Sequence, residues 1–246
     1  MGTFILVPGA GHTAWCWHKI MPLLERAGHK VMAIDLPGTP PNPTYHPSEL
    51  TLEIWAGDVA DAVRKAEKPV FLAGHSRGGF VISEAAEMAS DELAGLIYVT
   101  AIIPQPGQSL LEAAGYDPSI VPPIDENGCM AKFTDDVAIE RFYHRCSPED
   151  HVEACRHLYA EPMRPDSVPS GVTWERWGRV PRAYIECSDD IALDLHTQQR
   201  KMQAAAPCDP VYTLDTDHSP FLCAPEALSV AMIEIARRFE TADAET

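Results

Sequence analysis

The chain has 246 residues, 46% of them hydrophobic and 22% charged, enough for one large α/β domain around a single core. Its formal charge of −17 argues against nucleic acid or an anionic membrane as partner, because both require a basic footprint.

The apolar run Phe4 to Val7 is too short for a signal peptide and lacks the basic flank of one. Leu6 stands where a myristoylation signal needs Ser or Thr. No stretch approaches the ~20 apolar residues of a membrane span, so the expected address is the cytoplasm. The seven cysteines, at 16, 129, 146, 155, 187, 208 and 223, include no Cys-x-x-Cys pair, and reduced thiols are expected.

Along the chain, short β-type runs alternate with helical patterns, which predicts a mainly parallel sheet of about six strands with flanking crossover helices. Phe4 to Val7 reads as the first strand. A helix near Trp17 to Ala27 follows, closed by Gly28, with Pro22 confined to its first turns. Val31 to Ile34 is the second strand. Ala56, Val59, Ala60 and Val63 mark one face of a helix ending before Pro69. Val70 to Ala73 is a strand, Phe80 to Ala89 a helix, and Leu96 to Val99 a strand. Most of these runs are continuously apolar, as strands covered on both faces must be.

From Pro104 to about Gly178 the rhythm breaks. Prolines at 106, 118, 122, 123, 148, 162, 165 and 169 punctuate short helical pieces such as Val137 to Arg145, with no strand of the central-sheet kind. Residues 104–178 are therefore expected to form a small helical lid inserted in a core made of 1–103 and 179–246. The strands Ala183 to Glu186 and Val211 to Leu214 resume the sheet. Leu228, Ala231, Met232, Ile235, Ala236 and Phe239 recur at helical spacing in the last helix. The acidic tail from Glu240 is expected to fray.

The strongest local signal is Gly74-His75-Ser76-Arg77-Gly78-Gly79, between a predicted strand and a predicted helix. Gly-x-Ser-x-Gly in that context lifts a serine hydroxyl above the sheet on a sharp turn, where flanking glycines relieve crowding. The serine also lies at a helix N-terminus, whose amides favour developing negative charge. A serine at neutral pH is a poor nucleophile without a base. His218, in Asp217-His218-Ser219-Pro220, is the one histidine beyond the sixth strand and the candidate base. The acid that orients its imidazole is expected after the preceding strand, in Cys187-Ser188-Asp189-Asp190. Asp189 and Asp190 both qualify. Asp190 is preferred, with Asp189 left to cap the following helix and Asp194 taken as already helical. The order Ser76, Asp190, His218 is that of the strand–turn–helix nucleophile fold.

An oxyanion hole needs preset N–H donors. Arg77, after the nucleophile, supplies one through its backbone; its side chain is expected to turn toward solvent or the inserted segment. The Gly-rich loop Pro8-Gly9-Ala10-Gly11-His12 supplies the other, with Ala10 the best candidate. Gly9 and His12 are candidate substrate contacts, His12 equally a structural hydrogen-bonding residue.

The stretch Phe4 to His12, Ala14-Trp15-Cys16-Trp17, Pro22-Leu23-Leu24, Ala27-Gly28-His29 and Ala33-Ile34-Asp35-Leu36 resembles the methylesterase and hydroxynitrile lyase branch of the α/β-hydrolases, plant methyl salicylate esterases and bacterial relatives included. Gly74-His75-Ser76-x-Gly78-Gly79, Cys146-Ser147-Pro148-Glu149-Asp150 and Glu186-Cys187-Ser188-Asp189-Asp190 extend the likeness over nearly the whole chain. The resemblance implies Asp190 as triad acid, Ala10 and Arg77 at the oxyanion positions, no cofactor, and a small lid over an apolar pocket. This chain departs from the branch at Pro8, where members usually carry His. The lyases also rely on a Thr two residues after the first strand and a Lys after the catalytic histidine; here these are Gly9 and Ser219. Without that lysine, lyase chemistry is disfavoured.

His144, Cys146, His151, Cys155 and His157 crowd together, but their spacing fits no usual zinc pattern and reads as amphipathic helix; no metal is expected. Gly9-Ala10-Gly11 lacks the rest of a dinucleotide fingerprint. Trp15, Trp17, Trp174 and Trp177 read mainly as core, with 174–178 placed to reach the pocket. The expectation is a serine carboxylesterase acting on small or medium esters, with a small-molecule substrate, no nucleic-acid or membrane partner, and a sequence compatible with a homodimer. Lactonase, thioesterase, lyase and low-turnover binder remain the alternatives.

Overall fold

The computed structural model describes residues 1–115 and 123–243. Pro118 and Pro122, counted in the expected lid, and the last residues of the acidic tail lie outside the described residues.

The strands β1 (Thr3–Val7), β2 (Lys30–Ala33), β3 (Val70–His75) and β4 (Gly95–Val99) alternate with α1 (Met21–Arg26), α2 (Leu52–Lys65) and α3 (Gly78–Ala89). Next come α4 (Leu110–Ala114), β5 (Cys129–Met130), α5 (Asp135–Phe142), α6 (Pro148–His157) and β6 (Glu161–Pro162). The chain ends with β7 (Arg182–Cys187), α7 (Arg200–Ala205), β8 (Val211–Leu214), α8 (Pro220–Cys223) and α9 (Pro225–Asp243).

Six strands form one sheet in the order β2-β1-β3-β4-β7-β8, and every pairing in it is parallel. β1, β3, β4 and β7 are buried at every position, whereas the edge strands β2 and β8 alternate between exposed and half-buried residues. Central parallel strands are covered on both faces and so read as unbroken apolar runs. Successive side chains point to opposite faces. Ile5, Val7 and Leu72 accordingly pack with Val59 of α2 and Phe80 of α3, while Phe4, Leu6 and Phe71 pack with Leu24 of α1 and Ile235 of α9. Leu228, Met232 and Ile235 of α9 are each 0% exposed, burial that stabilises by roughly 1.5–3 kcal/mol per side chain.

From β1 the chain goes to β2 on one side and β3 lies on the other, so the strand order reverses there. The crevice at such a reversal, beyond the C-terminal strand ends, is where open α/β sheets bind ligands. Val7 pairs with Gly74 across it, which sets the loop after β1 against the turn after β3.

Some local expectations shift. The helix expected over 17–27 is a 3₁₀ turn, Ala14–Trp17, followed by a short α1 with Pro22 in its first turn; proline lacks the N–H an interior position needs. The last helix runs on to Asp243, into the tail expected to fray. Within 104–178, β5 and β6 form a separate antiparallel pair, too short to leave a period in the sequence.

Candidate active site

Ser76 ends the turn after β3 with φ 52°, a left-handed conformation that costs a non-glycine residue energy. The neighbouring glycines make the turn sterically feasible. A Cβ on Gly74 would lie 2.6 Å from the Gly78 carbonyl oxygen, and one on Gly78 would lie 2.7 Å from the Val7 and Pro8 oxygens. The Ser76 amide donates to the Val99 carbonyl (3.3 Å), and the Ile102 amide donates to the Ser76 carbonyl (3.0 Å), pinning the turn to the end of β4.

Ser76 Oγ lies 3.0 Å from His218 Nε2, and His218 Nδ1 lies 2.7 Å from Asp190 Oδ2. The Asp190 contact fixes the neutral tautomer with the proton on Nδ1, leaving Nε2 to accept the serine proton. Ser188 and Asp189 donate their amides to the Leu214 and Thr216 carbonyls at 2.9 and 3.0 Å, binding the acid loop to the histidine loop. Burial pushes the Asp190 carboxyl up, but the His218 charge and hydrogen bond, with donors from Thr100 and Leu193, outweigh it and hold it below the ordinary value.

Asp190 Oδ1 accepts the Ala192 and Leu193 amides, both at 2.8 Å. The capping role expected of Asp189 is therefore met within Asp190 itself. Asp189 is exposed and contacts His144 (3.3 Å) and Arg145 (3.5 Å). Asp194 is not yet helical: it caps the π-turn Leu195–Gln199, accepting from His196 and Thr197 amides.

Ala10, Arg77 and His12 line a cavity with Ser76 and His218. Among the described residues, neither the Ala10 nor the Arg77 amide donates to a protein acceptor. Gly9 is not in the cavity wall. It packs against the Ser76 turn, and a Cβ there would stand 2.8 Å from His75 Nδ1 and 3.0 Å from Ser76 Cβ. His12 donates from Nδ1 to the Ala10 carbonyl (2.7 Å) and accepts from the Tyr143 hydroxyl at Nε2 (2.6 Å). Burial drives its pKa down to about 4, so it is neutral at physiological pH. His75, fully buried, donates from Nε2 to the His218 carbonyl (2.8 Å).

The Arg77 side chain does not turn to solvent. It is 1% exposed, with its guanidinium 4.2 Å above the Trp55 ring. Its Nη2 donates to the Gly9 carbonyl (3.2 Å) and lies 2.9 Å from Glu161 Oε1. That second contact is an ion pair without a well-directed hydrogen bond, since Oε1 has no hydrogen-bond partner. Glu161 Oε2 accepts the Gly11 amide at 2.6 Å. The loop presenting the Ala10 amide is thus held on both sides, at Gly9 by Arg77 and at Gly11 by Glu161.

Sequence reasoning does not single out Thr100, Glu161, Asp166 or Tyr143, and names Asp217 only as a neighbour of His218. Thr100 directly follows β4 with φ 35°, a strained setting for a β-branched residue, and its hydroxyl donates to Asp190 Oδ2. Asp217 accepts the Arg145 amide (2.8 Å) and the Ser219 amide (2.9 Å), joining residue 145 to the histidine loop. The His144–His157 group does not converge on one point: His151 bonds the Tyr143 carbonyl, and His157 stacks on Trp15 at 4.1 Å. The ligand atoms of Cys146, Asp217 and Cys223 do lie within 4.8 Å of one another, with the Asp217 carboxylate engaged as just described. Trp17 and Trp177 are core, and Trp174, 45% exposed, packs with its ring tilted against Trp177 rather than lining the cavity.

The cavity wall is mostly apolar, built by Ile102, Leu110, Leu111, Met130, Phe142 and Met163. Phe142 stands 5.7 Å, ring to ring, from His218. Among the described residues no helix is long and apolar enough to cross a membrane.

The alpha/beta hydrolase family model matches residues 4–231. A pyrethroid hydrolase from Sphingobium wenxiniae is 31% identical, over 94% of this chain and 86% of its own. Methylesterase 2 of Arabidopsis thaliana is 30% identical, over 96% of each chain. The crystal structure of a pyrethroid hydrolase from Sphingobium faniae superposes with a TM-score of 0.85 at 31% identity, covering 96% of this chain and 97% of that one. An Arabidopsis methylesterase structure gives 0.80 at 26% identity, covering 96% and 99%. With its parallel sheet, its strand–serine–helix turn and these relatives, the chain belongs to the alpha/beta hydrolase family and is a hydrolase of the carboxylesterase type.

Proposed function

We propose that this chain is a cofactor-independent serine esterase in which Ser76, His218 and Asp190 act as the catalytic triad. Ser76 Oγ attacks the ester carbonyl while His218 Nε2 takes its proton, and Asp190 stabilises the imidazolium that forms. The Ala10 and Arg77 amides receive the oxyanion. His218 then protonates the departing alcohol, and water, deprotonated by the same imidazole, releases the acid and restores the serine.

The observation that carries the reading is the continuous contact from Ser76 through His218 to Asp190, at 3.0 and 2.7 Å, opening into a largely apolar cavity. Residues 104–178 act in this reading as the lid, contributing Leu110, Met130, Phe142 and Met163 to the pocket. The substrates are small or medium esters with an apolar body. The pyrethroid hydrolase and methylesterase relatives support that class.

Hydrolysis of p-nitrophenyl butyrate by Ser76→Ala tests the assignment. The expected loss in kcat is on the order of 10⁶, with a residual ~10³–10⁴ over water from binding and the oxyanion site. A fluorophosphonate should label Ser76 stoichiometrically. A Ser76→Ala protein with full esterase activity would falsify the triad.

A further inference from the structure

The pocket is not apolar throughout. Asp166, in the 3₁₀ turn Pro165–Ser167 just after β6, lines the cavity that holds Ser76. It is 2% exposed, and its Oδ1 has no hydrogen-bond partner among the described residues. Arg77 lines the same cavity, and its Nε and Nη1 are likewise without partner. The remaining guanidinium nitrogen, Nη2, is taken up by Gly9 and Glu161. The turn is fixed by its own backbone, the Asp166 amide donating to the Met163 carbonyl at 3.2 Å.

Buried polar atoms without partners are unusual and costly, and they are tolerated where a ligand completes them. Here an unpartnered acceptor and unpartnered donors belong to two residues that line one cavity. Arg77 and Glu161 offset each other, so Asp166 is the additional acid of the patch. Burial pushes its carboxyl up to about 7 against the pull of Arg77. A ligand carboxylate would meet both Asp166 and Glu161, and an ammonium would meet the guanidinium. A hydrocarbon would leave Asp166 Oδ1 and Arg77 Nε and Nη1 without partners. A hydroxyl is neutral, donates to Asp166 and accepts from Arg77, and so answers both.

We propose that Asp166 and the Arg77 side chain form a hydroxyl-recognition subsite, so that the pocket selects esters whose apolar body carries a hydroxyl where it meets the Met163–Asp166 turn. Asp166 is here a specificity-determining residue with no part in the covalent chemistry. The ester class rests on the serine-esterase reading above, but recognition of the hydroxyl is a binding property and can be read without turnover.

The test uses the full chain carrying Ser76→Ala and measures Kd by calorimetry at pH 8. The probes are methyl alkanoates of four to ten carbons and their ω-hydroxy counterparts of equal length. At one or more lengths the hydroxylated ester should bind at least ~10-fold more tightly, since a site built to bond a hydroxyl discriminates strongly against the analogue lacking it. Adding Asp166→Leu should abolish or reverse that preference, because the hydroxyl must then be desolvated without an acceptor. Equal or weaker binding of every hydroxylated member, no measurable binding of any, or an undiminished preference in the Asp166→Leu protein would overturn the subsite. Should Asp166→Leu not fold, the comparison in the Ser76→Ala background decides alone. Turnover of p-nitrophenyl butyrate by the unsubstituted chain reports separately on the triad, so the two readings fail independently.

Discussion

Glu161→Ala is the perturbation that best tests how the Pro8–His12 loop, proposed to receive the oxyanion, is held. Glu161 and Arg77 side chains are 0% and 2% exposed and lie 2.9 Å apart. Truncating Glu161 leaves a buried guanidinium with the Gly9 carbonyl and the Trp55 ring for company, and leaves the Gly11 amide without its acceptor. Breaking a buried pair by removing one partner costs about 3–5 kcal/mol. Asp166, which feels the Arg77 charge, can ionise and restore part of the balance, so the lower end is expected. For a domain of this size ~3 kcal/mol corresponds to a fall in Tm of roughly 6–12 °C. Urea unfolding at fixed pH reads the loss. The mirror substitution Arg77→Met should also destabilise, while Arg77→Met with Glu161→Leu should be more stable than the sum of the single variants predicts, because no charge is then stranded. If Glu161→Ala costs less than ~1 kcal/mol, water reaches the pair and the account of a dry clamp under the loop is wrong.

Asp190→Asn keeps an oxygen for the Ala192 and Leu193 amides but misorients the imidazole proton, and kcat should fall by about 10⁴ with binding of a substrate analogue little changed; a fall below about tenfold would remove Asp190 from the triad. Thr100→Val removes the hydroxyl donated to Asp190. A hydrogen bond to a charged group is worth about 1.5–3 kcal/mol, so kcat should drop about 10- to 100-fold, and unchanged kinetics would show that Thr100 is only structural. The Asp166 carboxyl is raised from 3.8 to about 7, so the folded state holds its proton longer than the unfolded chain does. Its contribution to stability is complete below pH 3.8 and is lost as pH rises through about 7. Asp166→Asn should therefore gain stability relative to the unsubstituted protein between pH 5 and pH 8 in urea titrations. An equal stability difference at both pH values would contradict the burial argument.

The sheet and the nucleophile turn were legible because their signals are local. A strand buried on both faces writes an unbroken apolar run, and β1, β3, β4 and β7 lie within one or two residues of their expected bounds. The serine turn writes its own steric needs as Gly74 and Gly78. His218 could be found from order along the chain, as the one histidine after the last strand. The choice between Asp189 and Asp190 was harder, because both follow β7 in a loop without period; the structure puts Asp190 against His218 and leaves Asp189 at the surface. What escaped was set by contacts between distant residues. Glu161 reaches Gly11 across 150 positions, and Asp217 accepts an amide 72 positions away. No spacing rule records such a pairing. The Arg77 side chain was misjudged for a related reason: an arginine beside a nucleophile reads as exposed until a buried carboxylate and an aromatic face are known to await it.

These long-range contacts divide the labour of the molecule. The groups proposed to do chemistry sit at the C-terminal ends of sheet strands, Ser76 and Asp190 after the wholly buried β3 and β7 and His218 after the edge strand β8, so the sheet sets their spacing. The groups that surround the reacting ester come largely from residues 104–178, whose helices are short and whose own strands pair over only two residues each. That segment is hydrogen-bonded to the loops around the site through Glu161 on the Gly11 amide and the Arg145 amide on Asp217. Ahead of those anchors in the chain, Leu110, Met130 and Phe142 line the cavity with no polar tie to the triad. Substitutions at these three positions should therefore alter which ester is accepted while leaving the Ser76–His218–Asp190 spacing intact, whereas changes at Glu161 within the segment, or at Asp217 in the histidine loop that receives the Arg145 amide, should disturb the chemistry.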